Sequence, residues 1–273
     1  MEPVTDYQQL VPEAPYDLYI ARAAHAHFLR PVAPERLAPD GYIKFSVIRA
    51  GEPNYTDAAG TELDWSIGFA GHMSPERPVY VASNTAVQVV WANFLPSGFH
   101  RLFGKPVNEL NERFILPEIL LGSRYHALRE ALITEKDPAQ GCRLLVDQLL
   151  AGQDPDDLAR PTAMQRAEKH IRGTNGTASM PELADIAGFS VRQLERRSLI
   201  ELGASPKVFS SIVRFNHAYQ RMKQEGKLDL DTALQCGYYD ESHMLRDLAY
   251  YLGGSSKQYV DLVRPVVDRN LGH

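Results

Sequence analysis

Between residues 17 and 91 the chain carries short runs rich in β-branched, aromatic and other apolar residues, at 17–21, 25–29, 42–48, 65–70, 79–82 and 86–91, with apolar and polar positions alternating over 43–47. Short runs of this composition bounded by turn signals predict β-strands, and where the period is two, successive side chains fall on opposite faces. Turn-forming stretches separate them: Pro39-Asp40-Gly41, Ala58-Ala59-Gly60 and Pro75-Glu76-Arg77-Pro78. Short strands at this spacing predict a small barrel or a double-sheet roll. Residues 1–17, rich in Pro and polar groups, read as an irregular lead-in. After Pro96-Ser97-Gly98 the period becomes helical, over 99–103, 107–110, 125–133 and 138–151. The acidic, Pro-broken stretch Gly152-Gln153-Asp154-Pro155-Asp156-Asp157 reads as a linker. The boundaries expected are 1–151 for the β-rich sensor or dimerisation domain with its C-terminal helices, 152–161 for the linker, and 162–273 for a helical domain.

Two similar passages organise the C-terminal part. Leu183-Ala184-Asp185-Ile186-Ala187-Gly188-Phe189-Ser190 leads into Val191-Arg192-Gln193-Leu194-Glu195-Arg196-Arg197, and Thr232-Ala233-Leu234-Gln235-Cys236-Gly237-Tyr238-Tyr239-Asp240 leads into Glu241-Ser242-His243-Met244-Leu245-Arg246-Asp247-Leu248. In each, an apolar helix stops at a Gly, an aromatic follows, and Ser or Asp opens a basic helix. Gly accepts the left-handed conformation of a tight turn, and Ser or Asp can cap the next helix. This is the layout of a helix-turn-helix, whose second helix enters the DNA major groove. Between the two, Val208, Phe209, Ile212, Val213, Phe215, Tyr219 and Met222 fall mostly at helical spacing. The helix they predict would be about 30 Å long at 1.5 Å per residue. Successive major-groove faces lie about 34 Å apart, so one rod can hold two recognition helices a turn of DNA apart.

The stretch 162–262 resembles the DNA-binding domain of AraC/XylS-type transcriptional regulators. The matching residues are Ala184, Gly188, Leu194 and Arg196 in the first motif, then Gly203-Ala204-Ser205-Pro206. In and after the second motif they are Ala233, Gly237-Tyr238, Ser242-His243, Arg246, Gly253 and Ser255. The chain departs from that pattern at Ser198, where a core Phe is usual, and at Ser256, where Pro is usual. A Ser at 198 removes most of the area a Phe would bury, worth about 1.5–3 kcal/mol. Leu199 is expected to fill part of that space, and Ser198→Phe to stabilise the domain. Leu199 and Ile200 otherwise add apolar surface to a helix that should be polar outside. The N-terminal half is similar to a domain of unknown function that commonly precedes such DNA-binding domains. The likeness rests on Ala38-Pro39-Asp40-Gly41, on Phe94-Leu95-Pro96-Ser97-Gly98-Phe99-His100-Arg101-Leu102-Phe103-Gly104 and on Asn108-Glu109-Leu110. The resemblance implies a regulator, with the family leaning toward activators that recruit RNA polymerase, and a sensor half for an unknown small-molecule effector or for homodimer formation.

Charge refines this picture. The whole chain carries −5, but residues 161–273 hold fifteen basic and thirteen acidic residues, a net of +2, which leaves −7 on residues 1–160. Only the second half has the sign to meet phosphate. A net of +2 is modest and predicts weak non-specific binding. Cys142 and Cys236 are too few for a disulfide framework or a zinc site. No apolar run reaches the ~18 residues of a membrane span. The N-terminus lacks a signal-peptide layout, so a cytoplasmic protein with no membrane partner is expected.

The residues expected to meet double-stranded DNA are Ser190, Arg192, Gln193, Arg196 and Arg197 on the first basic helix. Glu241, Ser242, His243 and Arg246 are their counterparts on the second. Arg192 and Arg196, four apart, share a face, and Arg can bond guanine O6 and N7 together. Lys207 and Lys257 open the helices after each motif, where amides can meet phosphate. Of other chemistry little is found. His25-x-His27 on a strand has the spacing of a cupin metal site, but the Glu expected soon after is absent, as is a second His motif. A pocket lined by Tyr19, His27, Trp65 and Trp91 is conceivable for an effector. No catalytic group, cofactor or metal is called for. The expectation is an α+β chain: a β-rich roll or barrel with trailing helices, then an all-α domain with two helix-turn-helix motifs joined by a long helix. It is expected to regulate transcription and not to be an enzyme. The alternatives are a cupin-like metal-dependent enzyme, a DNA-repair methyl acceptor lacking its Cys cluster, and a degenerate module that no longer binds DNA.

Overall fold

The computed structural model describes residues 4–29, 32–63, 68–71, 75–110, 114–225 and 230–255. Ten strands are described: β1 Val4–Leu10, β2 Ile20–Phe28, β3 Val32–Arg36, β4 Ile43–Ala50, β5 Pro53–Thr56, β6 Glu62–Leu63, β7 Gly68–Ala70, β8 Tyr80–Ser83, β9 Val87–Phe94 and β10 Phe114–Ile115. Helices follow: α1 Pro96–Phe103, α2 Pro117–Leu121, α3 Arg124–Thr134, α4 Pro138–Leu150, α5 Pro155–Leu158, α6 Ala163–Gly173, α7 Met180–Ala187, α8 Val191–Glu201, α9 Pro206–Glu225, α10 Leu230–Gln235 and α11 Glu241–Leu252. The strands form a six-stranded sheet in the order β1-β2-β9-β4-β7-β10 and a four-stranded sheet in the order β3-β8-β5-β6. Every pairing in both sheets is antiparallel. This is the expected α+β class, a double-sheet roll followed by helices.

The alternation in β4 does what its period predicts. Ile43, Phe45 and Val47 are fully buried on one face, and Lys44, Ser46 and Ile48 are half-buried on the other. The first face joins Phe69, Phe94, Phe99 and Phe103, whose neighbouring rings stand 4.9–5.9 Å apart. Full burial of a ring such as Phe69, Phe94 or Phe99 contributes about 1.5–3 kcal/mol, and Phe103 packs against them partly buried. Helix α4 closes this core with Cys142, Leu145, Val146 and Leu149, one stripe at helical spacing. Cys142 and Cys236 are both free and buried. Burial lifts the Cys142 thiol to about 11, which keeps it protonated.

Three sequence expectations for this half need correction. The lead-in is not irregular throughout: Val4–Leu10 is a strand pairing with β2, with a register shift between Thr5 and Gln8 where Asp6 has φ 59°. As an edge strand it is held by backbone bonds to β2, so its polar sequence carries no apolar alternation to detect. The runs 17–21 and 25–29 belong largely to one nine-residue strand, β2. Strand β3 went unseen because Pro34 breaks the pattern, which an edge strand tolerates. Residues 65–67 of the expected run 65–70 lie outside the described residues.

The stretch 152–161 is docked. Asp154 caps α5, and Leu158 is 2% exposed in the N-terminal core. The Tyr19 hydroxyl donates to the Leu158 carbonyl at 3.2 Å, and Arg101 reaches the carbonyls of Asp157 and Arg160. The helical half has two cores. Met164, Ala167, Ile171, Leu183, Ala187, Leu194 and Phe209 build the first, and Phe215, Met222, Ala233, Cys236, Met244 and Leu248 the second. Helix α9, twenty residues long, contributes to both. No helix among the described residues is long and apolar enough to cross a membrane.

Candidate nucleic-acid interface and effector pocket

Each expected helix-turn-helix is present, and its local chemistry explains it. Ser179 caps α7 with Glu182 in a reciprocal capping box, and α7 stops at Gly188, which is left-handed at φ 70°. Ser190 then caps α8: the Gln193 amide donates to its Oγ at 3.3 Å, while Gln193 Oε1 accepts from the Ser190 amide at 3.0 Å. In the second unit α10 stops before Gly237, φ 79°, and Asp240 accepts from the His243 amide at 2.6 Å to open α11. Both second helices pack through one buried stripe, Leu194 and Ser198 on α8, Met244 and Leu248 on α11.

The side chains expected at DNA distribute as follows. Arg192 and Arg196 are exposed on the outer face of α8, and neither has an ion-pair partner among the described residues. Ser190 and Gln193, though exposed, are engaged in the cap. Arg197 turns aside to Glu201 at 2.6 Å. Glu201 itself is 2% exposed, and its burial holds the carboxyl above the usual range against the pull of Arg197. Lys207 is exposed in the first turn of α9. On α11, Ser242 and Arg246 are exposed, the Arg246 Nε donating back to the Ser242 carbonyl at 3.2 Å. Glu241 and His243 are half-buried, the His243 ring lying edge-on to Tyr238 with centroids 5.0 Å apart. Lys257 lies outside the described residues. Sequence reasoning passed over Tyr239, 86% exposed in the turn that opens α11. It also missed Arg214, which ties α9 to α11 through Asp247 at 3.4 Å and covers the Tyr238 ring at 4.9 Å. Partners 33 residues apart leave no local signal.

Ser198 is resolved against the expectation. It is fully buried, and its hydroxyl donates to the Ala204 carbonyl at 2.7 Å across the end of α8. Leu199 does not fill space beside it but stays 46% exposed. The core has closed around a hydrogen-bonded Ser.

The N-terminal half offers a cavity. About 320 Å³ of space lies between the two sheets, walled by Phe28, Ile48, Val81, Val87 and Val89. Tyr219 and Lys223 of α9, Glu35 and Arg36 of β3 and Tyr55 of β5 are also among its lining residues. A larger groove, about 660 Å³, crosses the four-stranded sheet past Glu52, Asn54 and Glu62. It is the more polar of the two and has no lining residue on a helix, whereas the smaller cavity touches α9 and a third pocket, about 450 Å³, touches α6 through Gln165, Arg166 and Lys169. Of the aromatic pocket conceivable from the sequence, Tyr19, His27 and Trp91 line none of the cavities described. Tyr19 is fully buried in the helix-side core, Trp91 lies beside Tyr7 with ring centroids 6.3 Å apart, and Trp65 lies outside the described residues. His25 is 2% exposed with Nδ1 3.3 Å from the Asp6 carbonyl oxygen, and burial lowers its pKa. Among the described residues no group of three or more His, Cys, Asp or Glu could hold a metal ion.

The fold is thus a β-roll with a double helix-turn-helix. No protein-family model matches the sequence, and no curated protein does. Solved structures of ToxT from Vibrio cholerae resemble it over nearly the whole length. An apo variant is 11% identical with a TM-score of 0.47, covering 96% of this chain and 100% of that one. A ToxT structure bound to (E)-4-(8-methylnaphthalen-1-yl)but-3-enoic acid is 9% identical with a TM-score of 0.48, covering 95% and 100%. Wild-type ToxT with a bound unsaturated fatty acid is 11% identical with a TM-score of 0.47, covering 95% and 97%.

Proposed function

We propose that this chain is a sequence-specific, double-stranded-DNA-binding transcription regulator, and not an enzyme. One observation carries the reading: two capped helix-turn-helix units share one twenty-residue helix, with exposed Arg192, Arg196 and Arg246 on their second helices. At 1.5 Å per residue that helix is about 30 Å long, close to the ~34 Å repeat of the major groove. Arg192 and Arg196 read bases, as do Ser242 and Arg246, and Lys207 meets phosphate. Tyr239, beside the start of α11, adds a phosphate or sugar contact. The DNA-binding domain is residues 162–273, the sensor domain 1–151, and 152–161 joins them. The regulator acts as an activator through RNA polymerase, and homodimer formation would place four such helices on one promoter.

The effector belongs in the cavity between the sheets. Its apolar wall, with two cations, Arg36 and Lys223, against one carboxylate, Glu35, suits a small apolar molecule with an acidic head. Because Tyr219 and Lys223 lie on α9, an occupant would touch the helix that carries both recognition units. Selection of binding sites from random DNA with the purified full chain tests the DNA reading. A two-part consensus spaced by about one turn is the expected result. No enrichment overturns it in favour of an interaction module that no longer binds DNA, and enrichment unchanged in Arg196→Ala with Arg246→Ala overturns the assignment of base reading to these two helices. Decanoate titration monitored by melting temperature tests the pocket, with the shift expected to vanish in Lys223→Ala.

A further inference from the structure

Helix α6 opens the helical half, and its two faces do different work. Met164, Ala167 and Ile171 enter the core of the first helix-turn-helix. On the other side Gln165 and Glu168, three apart, are 2% and 1% exposed against the N-terminal half. The Glu168 carboxylate accepts from the Ser97 amide at 3.0 Å and from the Ser97 hydroxyl at 2.5 Å, and so closes the N-terminus of α1. No side chain of that helix's own N-cap, Leu95, does so. Its second oxygen accepts from Arg172 Nε at 2.9 Å. Arg172 in turn donates to the Gly41 carbonyl at 2.5 Å and lies over the Tyr42 ring at 4.2 Å and the Phe209 ring at 5.2 Å.

The two anchor points are one place in the sheet. Ser97 follows the end of β9, Gly41 and Tyr42 precede the start of β4, and these strands are neighbours with Ile43 opposite Phe94. The far end of the same strand pair, at Ile48, Val87 and Val89, lines the cavity. Polar docking of this kind is directional: a buried carboxylate and guanidinium satisfy each other in one arrangement and are costly in any other. An apolar interface would allow sliding.

We propose that Glu168 and Arg172 are positioning residues that latch the first helix-turn-helix to the shared end of β4 and β9, so that the roll and α6–α8 move as one body. The inference takes its functional meaning from the reading of the chain as a regulator, since the latch then sets where α8 is presented relative to the effector cavity. Its test needs no DNA, and its failure is therefore separate from failure of that reading.

The experiment measures distances within the full chain by double electron-electron resonance. Spin labels go on Glu130→Cys in α3 and Asp185→Cys in α7, both exposed, while the native Cys142 and Cys236 are buried. The parent should give a single narrow distance. Glu168→Gln, whose amide cannot hold both Arg172 and Ser97, should lose that narrow peak while the far-ultraviolet circular dichroism stays unchanged. Should Glu168→Gln fail to fold, Ser97→Ala, which deletes one hydrogen bond and no charge, carries the same test. A broad distribution in the parent, or a narrow peak retained in every folded variant, overturns the latch.

Discussion

Replacing Ser198 with Phe inserts a ring where the structure leaves no space. Ser198 is 0% exposed, flanked in its helix stripe by Leu194 and sealed by the turn that runs through Leu202 to Ala204. Two costs add. Overpacking a closed core costs about 1–3 kcal/mol. Loss of the 2.7 Å bond to the Ala204 carbonyl removes about 1 kcal/mol more. A total of about 3 kcal/mol, at roughly 2–4 °C per kcal/mol for a chain of this size, lowers the melting temperature by about 6–12 °C. Ser198→Ala separates the two costs: it keeps the space and loses only the bond, so it should fall by about 1 kcal/mol. Melting curves of the two variants and the parent, followed by circular dichroism, supply the measurement. An unchanged or raised melting temperature for Ser198→Phe would show that the site can open, and would restore the idea of a loosely packed α8 waiting for a larger residue.

At the interface with DNA, Arg196→Ala should cost about 1–3 kcal/mol at one base position and relax selectivity there, whereas Lys207→Ala should weaken all sequences alike and flatten the salt dependence by about one unit. Gel-shift titrations over a salt series distinguish the two, and identical effects from both would remove Arg196 from the base-reading set. Glu201 has a folded-state pKa raised by burial, so the folded chain holds its proton more tightly than the unfolded one, and stability is lost as pH rises through the folded value. Glu201→Gln should therefore raise the melting temperature at neutral pH, with the gain disappearing below about pH 4, near the ordinary carboxyl value. A gain that persists in acid would refute burial as its cause. His25 has the opposite sign: its depressed pKa means stability is held above the ordinary value and lost as pH falls below it. His25→Gln should flatten the acid limb of the stability curve below about pH 6.5, and an unaltered limb would assign acid sensitivity elsewhere.

Local chemistry made the helical half legible. A Gly stop, a Ser or Asp cap and a stripe of apolar residues act over a few positions, so the sequence by itself determined both helix-turn-helix units. The helix between them and the exposure of Arg192, Arg196 and Arg246 followed in the same way. A strand with one buried face, such as β4, was readable for the same reason. Edge strands were not, because β1 and β3 are held by a neighbour's backbone and not by their own pattern. What only the tertiary structure decided is everything that depends on partners far apart in the chain. Ser198 looks like a missing Phe until its carbonyl partner at Ala204 is in place. Glu168 looks like a solvated helix charge until Ser97, 71 residues earlier, turns it into a buried cap. The cavity under Tyr219 and Lys223 exists only once α9 approaches the gap between two sheets. Apolar periodicity encodes which face of an element is buried, but it does not encode which distant polar group will meet it there, and that pairing sets the charge and shape of the sites.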